Sequence, residues 1–162
     1  TTLLNKNYVK WCNENGFKFS KEEDFSDSVA EGGFISQSPA AGTQLEKGST
    51  VTVHYSKGKE PTMEDKNALA KAEGYSSRMH MSKAAIYDQL TSSYGEGFPP
   101  EAAQYAVDHL VADYKANALE KAKSYQTNMH MSRSAIYDQL TSSYGEQFTA
   151  EEAQYAVDNL PQ

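Results

Sequence analysis

Residues 79–98 read MHMSKAAIYDQLTSSYGEGF, and residues 129–148 read MHMSRSAIYDQLTSSYGEQF. Ser82 stands directly before Lys83-Ala84-Ala85-Ile86, where its hydroxyl can accept from one of the free amides of a starting helix. Met81 is placed to pack on Ile86 as a hydrophobic staple. Ser132, Met131 and Ile136 repeat the arrangement. Ile86, Leu90 and Tyr94 fall on one helical stripe, which predicts that they are buried together. Gly95 is expected to end this helix in the left-handed conformation that a side chain disfavours. The next helix starts at Pro100, a favoured first-turn residue, and in the second copy behind Thr149, with Glu152 completing a capping box.

The likeness extends outward from these stretches. Residues 67–110 recur as 117–160 with an offset of 50 and no gap, and 31 of the 44 paired positions are identical. Self-similarity of that length marks a duplicated supersecondary unit. From Pro100 the apolar pattern Ala103, Ala106/Val107, Leu110, Tyr114, Ala118/Leu119 and Ala122 runs on without Gly or Pro. This predicts one long helix from Pro100 to about Tyr125. The expected architecture is therefore all-α: tandem helix-turn-helix repeats over 66–113 and 114–162, sharing a long central helix.

Residues 1–58 share none of this pattern. They carry six basic and seven acidic residues, against nine and 15 in residues 59–162, which divides the charge as -1 and -6. Residues 59–65 are polar, contain Pro61 and suit a linker. Leu4, Tyr8 and Trp11/Cys12 place one apolar stripe on a helix that Gly16 would end. Phe17 and Phe19 alternate around Lys18. Residues 33–37 and 50–55 read as strands, with Ser38-Pro39-Ala40-Ala41-Gly42 as a turn, and Val51, Val53 and Tyr55 share one face. The expectation for 1–58 is an α+β module, a helix lying on a small, mostly antiparallel sheet.

Charge and composition exclude several kinds of chemistry. The chain of 162 residues has a formal net charge of -7 and a pI near 5.1, so it repels phosphate backbones and anionic lipid at long range. Cys12 is the single cysteine, which rules out an internal disulfide and a cysteine-built zinc site. No window approaches 18 consecutive apolar residues. The histidines at 54, 80, 109 and 130 include no pair at i, i+3 or i+4, so no helical metal site can be drawn. His80 and His130 read as loop residues hydrogen-bonded to backbone. Gly-x-Ser-x-Gly, a Gly-rich phosphate loop and a Cys/His/Asp trio are all missing, and neither catalysis nor a cofactor is expected.

A helix-turn-helix normally raises the question of DNA. A reader of DNA needs Lys or Arg on its recognition helix. Residues 100–110 carry Glu101 and Asp108, residues 150–160 carry Glu151, Glu152 and Asp158, and neither stretch has a Lys or Arg. DNA binding is thus the least favoured reading, and a protein partner is the simpler expectation. Of the 11 tyrosines, Tyr94, Tyr105, Tyr144 and Tyr155 lie near apolar positions and read as core or half-core. Tyr87 and Tyr137 sit beside Asp88 and Asp138, just off the buried stripe. Tyrosine supplies rigid contact area at interfaces, although a packing role explains these two equally well. The candidate interaction residues are Tyr87, Asp88, Tyr137 and Asp138, with Glu101, Asp108, Glu151 and Asp158 on the acidic helices.

Specific stretches resemble two known families. Gly33-Phe34-Ile35-Ser36-Gln37-Ser38-Pro39-Ala40-Ala41-Gly42-Thr43, followed by Lys47-Gly48-Ser49-Thr50-Val51-Thr52-Val53 and Ser56-Lys57-Gly58, resembles the second half of a PASTA domain. That resemblance implies an extracellular module of the kind found on penicillin-binding proteins and membrane serine/threonine kinases, associated with peptidoglycan. The stretches 82–94 and 98–110, repeated at 132–144 and 148–160, resemble the Ltp-type host-cell-surface-exposed lipoprotein repeat. This second resemblance implies a tandem helix-turn-helix array held outside a Gram-positive membrane by a lipid anchor, here expected upstream of Thr1. In prophage-encoded members it implies superinfection exclusion, the blocking of phage DNA injection by contact with the phage tape measure protein. The expectation that follows is a non-enzymatic, extracytoplasmic protein, with a phage tape measure protein as leading partner and peptidoglycan as the alternative.

Overall fold

The computed structural model describes the backbone of residues 2–161 and the side chains of residues 7–161. The chain divides into two units, residues 1–60 and 61–162.

In the first unit α1 (Thr2–Asn15) ends where Gly16 takes φ +72°, and three strands follow: β1 (Lys18–Asp24), β2 (Phe34–Ser38) and β3 (Thr50–Ser56). Cys12, Val51, Val53 and Tyr55 are buried together, with Tyr8, Phe17, Phe19 and Leu45 packed around them. The helix stripe thus reaches the core through Cys12, while Trp11 is half exposed and stacks on Phe17 with ring centroids 5.6 Å apart. Leu4 lies outside the described side chains. The sheet is mixed, which corrects the mostly antiparallel expectation. Its order is β1-β3-β2, with β1 parallel and β2 antiparallel to β3. Each connection reverses the chain, but β3 sits between the other two strands. The first and third strands therefore run the same way as neighbours.

The second unit contains α2 (Met63–Met79), α3 (Lys83–Thr91), α4 (Pro100–His109), α5 (Tyr114–Asn128), α6 (Arg133–Thr141) and α7 (Ala150–Asp158). Thr62 caps α2 in a reciprocal capping box with Asp65, so that helix begins inside the stretch 59–65 read as a linker. Ser82 and Ser132 cap α3 and α6 by accepting from the Ala85 and Ala135 amides at 3.1 and 3.2 Å. Thr149 and Glu152 form the expected box on α7, and Pro100 is the first residue of α4.

The long shared helix does not exist. Leu110 turns extended at ψ 121°, and Asp113 opens a new helix by accepting from the Ala116 amide at 3.0 Å. A carboxylate that satisfies a first-turn amide restarts a helix without Gly or Pro. Each repeat therefore owns three helices, α2–α4 and α5–α7. Their cores correspond residue by residue: Ala68, Ala72, Ile86, Leu90, Ala103 and Ala106 in one, Ala118, Ala122, Ile136, Leu140, Ala153 and Ala156 in the other. Alanines on facing helices let α4 lie close along α2, and α7 along α5.

The turn after α3 departs from expectation in two ways. The helix stops at Thr91 with Ser92 as its cap, so Tyr94 and its counterpart Tyr144 leave the stripe and stand fully exposed. Gly95 is not left-handed; Gly97 is, at φ +68°, and Gln147 holds the same place at φ +57°. Glycine at 95 answers a close approach instead. A Cβ there would lie 2.3 Å from the Gln89 carbonyl oxygen, and one on Gly145 would lie 2.4 Å from that of Gln139. His80 and His130 both take φ 51° after the first helix of their repeats. Among the described residues neither histidine side chain bonds to backbone as expected; it is the His80 amide that donates, to the Ser76 carbonyl at 3.1 Å.

Candidate protein-interaction surface

The candidate carboxylates are exposed on α3 and α4, and on α6 and α7, while the two candidate tyrosines stand at the edge of the repeat cores. Capping by Ser82 and Ser132 fixes the start of α3 and α6, and hence the direction of Tyr87/Asp88 and Tyr137/Asp138 one turn later. Both tyrosines are half-buried, with their rings packed on the repeat core. Both aspartates are exposed.

Tyr87 and Asp88 line an open groove of about 400 Å³ where the two repeats meet, together with Lys83, Val107, Tyr114 and Gln147. Asp88 accepts from the Gln147 carboxamide at 2.9 Å. A second bond pair closes the joint beneath. The buried Asn117 carboxamide donates to Ser76 Oγ at 2.9 Å and to the Met81 carbonyl at 3.1 Å. Tyr137 and Asp138 occupy the same positions one repeat later, and no side chain among the described residues bonds to the Asp138 carboxylate. The structure therefore does not bring the two Tyr-Asp pairs into one site.

The acidic candidates divide by what holds them. Asp108 accepts from Gln104 at 2.7 Å and from Lys83 at 2.9 Å, and these bonds keep its carboxyl below the usual carboxylate range. Glu151 is held low in the same way by Lys115 at 2.6 Å. Asp158 accepts from Gln154 at 2.8 Å. Glu101 is exposed and has no side-chain partner among the described residues. Of the candidates, Asp108 and Glu151 are thus paired with lysines, Asp88 and Asp158 accept only from neutral carboxamides, and the carboxylates of Glu101 and Asp138 have no side-chain partner among the described residues.

Several working residues were not singled out from sequence. In both repeats a glutamate of the turn clasps the first helix: Glu96 accepts from Tyr75 and, at 3.0 Å, from Lys71; Glu146 accepts from Tyr125 and, at 3.2 Å, from Lys121. The phenol of Tyr125 is pushed up to about 12, first by burial and then by the Glu146 carboxylate. All three residue types recur at the offset of 50, which was a usable signal. The joint residues Tyr114, Asn117 and Gln147 gave a fainter one: Tyr114 and Gln147 replace Glu64 and Gly97 of the first copy. Among the described residues no group of three His, Cys, Asp or Glu side chains could hold a metal ion, and no helix is long and apolar enough to cross a membrane.

Comparisons with known proteins agree with this division. The PASTA domain model matches residues 6–57, and the model of the host cell surface-exposed lipoproteins matches twice, at 63–110 and 113–160. The serine/threonine-protein kinase PrkC of Bacillus subtilis is 42% identical over 50 residues, which is 31% of this chain and 8% of the kinase. A probable serine/threonine-protein kinase of Clostridium perfringens is 56% identical over 41 residues, 25% of this chain and 6% of that protein. The chain therefore spans less than a tenth of the curated relatives it matches. Among solved structures, Ltp, a superinfection exclusion protein from the Streptococcus thermophilus temperate phage TP-J34, superposes with a TM-score of 0.58 at 44% identity, covering 63% of this chain and all of that one. With its two three-helix repeats matched over more than half its length, this chain belongs to the family of host cell surface-exposed lipoproteins.

Proposed function

We propose that this chain works at the outer face of a Gram-positive cell as a non-enzymatic binding protein that excludes superinfecting phage through protein–protein contact. The observation that carries the reading is the match, at 44% identity, to the full length of the solved chain of a superinfection exclusion protein. The composition supports it. Residues 59–162 carry 15 acidic and nine basic residues, a surplus that favours a basic partner segment and speeds encounter in a salt-dependent manner. The tape measure protein of an incoming phage is the partner to try first. Cells displaying the protein at their surface should adsorb phage normally but admit less phage DNA than cells lacking it. Equal DNA entry in both, with no binding of a tape measure fragment to the purified chain, would remove the reading.

The first unit supports a second reading, contact with peptidoglycan. A cavity of about 430 Å³ is lined by Tyr8 and Trp11 together with Asn7 and Gln37, the Gln37 carboxamide being bonded to the Tyr8 hydroxyl and the Pro39 carbonyl. Flat aromatic faces beside amide groups suit a sugar ring and its N-acetyl substituents. Co-sedimentation with purified peptidoglycan tests it: retention that is lost with Trp11→Ala supports wall contact, and a chain that stays in solution leaves the unit as a spacer.

A further inference from the structure

Identical residues in the two repeats are not equally covered. Ser82 is 1% exposed and Val107 4%, whereas Ser132 is exposed and Val157 only half-buried. The Met81 carbonyl and the Asp88 carboxylate are bonded by Asn117 and Gln147. No side chain among the described residues bonds to the Met131 carbonyl or the Asp138 carboxylate. Backbone geometry does not explain the difference, because Ser82 and Ser132 have φ of -71° and -69° and the same capping bond. The difference is the neighbour. The first repeat is covered by an edge of the second: Tyr114 and Asn117 three residues apart on the first turn of α5, with Gln147 and Thr149 beside them.

We propose that the face formed by Met131, Ser132, Tyr137, Asp138 and Val157 is the docking site for a protein partner, one that presents an aromatic residue and an asparagine one turn apart on a helix, next to a second carboxamide donor. This rests on reading the chain as a binding protein and specifies the partner's chemistry. The molecule supplies the template itself, since the corresponding face in the first repeat is occupied by these groups; of the two acceptors of Asn117, the Met81 carbonyl recurs as that of Met131, while Gln126 replaces Ser76. A second copy of the chain does not fit. The matching edge of its first repeat keeps Asn67 but offers Glu64, Gly97 and Pro99 where the template has Tyr114, Gln147 and Thr149. It has neither the aromatic nor the second carboxamide, and it brings one more carboxylate toward a face that holds the unbridged Asp138.

The test occupies the face deliberately. A copy of residues 111–162 is fused after Leu160 of the full chain, in the register by which the second repeat follows the first. Amide hydrogen exchange at Met131, Ala135 and Ile136 is then compared with the unextended chain. Docking slows these amides by about tenfold or more, and alanine at the appended asparagine equivalent to Asn117 reverses the slowing. Unchanged exchange overturns the proposal. In the phage-entry assay the extended chain should lose protection that the unextended chain gives; equal protection by both overturns the docking site and leaves the exclusion reading standing. If the unextended chain gives no protection, exclusion is what fails, and the exchange comparison alone decides the docking site.

Discussion

Replacing Asn117 with alanine isolates what the joint between the repeats contributes. The Asn117 carboxamide is 7% exposed and donates twice, to Ser76 Oγ at 2.9 Å and to the Met81 carbonyl at 3.1 Å, from helix α5 to the first repeat. Each such bond has a net worth of about 0.5 to 1.5 kcal/mol, and a buried hydroxyl left without a partner adds a penalty of about 1 kcal/mol or more. Asn117→Ala is therefore expected to destabilise the helical unit by about 2 to 3 kcal/mol. Asn67 is the same residue at the same place in the first repeat, but it is exposed, and Asn67→Ala should stay within about 0.5 kcal/mol of the parent chain. Urea unfolding followed by far-ultraviolet circular dichroism reads both variants. With a denaturant slope of about 2 kcal/mol/M, the first midpoint drops by about 1 M and the second barely moves. Combining Ser76→Ala with Asn117→Ala should cost less than the sum of the two alone, with a coupling of about 1 kcal/mol. Equal midpoint shifts for Asn67→Ala and Asn117→Ala would refute the claim that the joint, and not helix propensity, makes the asparagine matter.

Gly95→Ala should destabilise by about 1 to 3 kcal/mol in thermal or urea unfolding, because its Cβ meets backbone; Gly97→Gln, which copies the residue of the second repeat at a left-handed position, should cost no more than about 2 kcal/mol. Asp113→Ala removes the cap that restarts the chain at α5 and should lose about 1 kcal/mol, a loss that Asp113→Asn largely avoids. The raised phenol of Tyr125 means that the folded state holds its proton more tightly than the unfolded state does. Its contribution to stability is complete below pH 10 and falls away as pH rises toward about 12, so Tyr125→Phe should flatten the pH dependence of unfolding in that window.

The helix starts were legible because capping is local chemistry. Ser82, Ser132 and the Thr149–Glu152 pair each satisfy an amide within three residues, and nothing distant can override that. Helix ends were less so. Tyr94 follows Leu90 at helical spacing, yet the helix had already stopped at Thr91, and periodicity carries no stop signal of its own. The long-helix expectation ran through Asp113 for the complementary reason. Within a run of apolar matches an aspartate reads as one more solvent-facing residue, although the same side chain three places before a free amide is a cap. In the sheet, alternation at Val51, Val53 and Tyr55 identified the buried face correctly, but alternation is blind to which strand lies alongside and in what direction.

The interaction surface shows a different limit, one that belongs to duplicated sequences. Tyr87-Asp88 and Tyr137-Asp138 sit in identical stretches, so a sequence comparison assigns them the same role. Identity between copies reports what each repeat needs in order to fold by itself: caps, core alanines, and the Glu96 and Glu146 clasps. What one repeat does to its neighbour is written largely where the copies differ, with Asn117 the exception, an asparagine that both copies keep and that bonds across the joint from the second. Glu64 becomes Tyr114, Gly97 becomes Gln147 and Pro99 becomes Thr149, and in the structure all three replacements line the groove at the joint. The divergent edge covers the corresponding face of the preceding repeat. The second repeat keeps the Met131 carbonyl and the Asp138 carboxylate, the counterparts of two groups bonded in the first, while Gln126 stands where Ser76 accepts from Asn117; neither counterpart is engaged by a neighbouring repeat among the described residues.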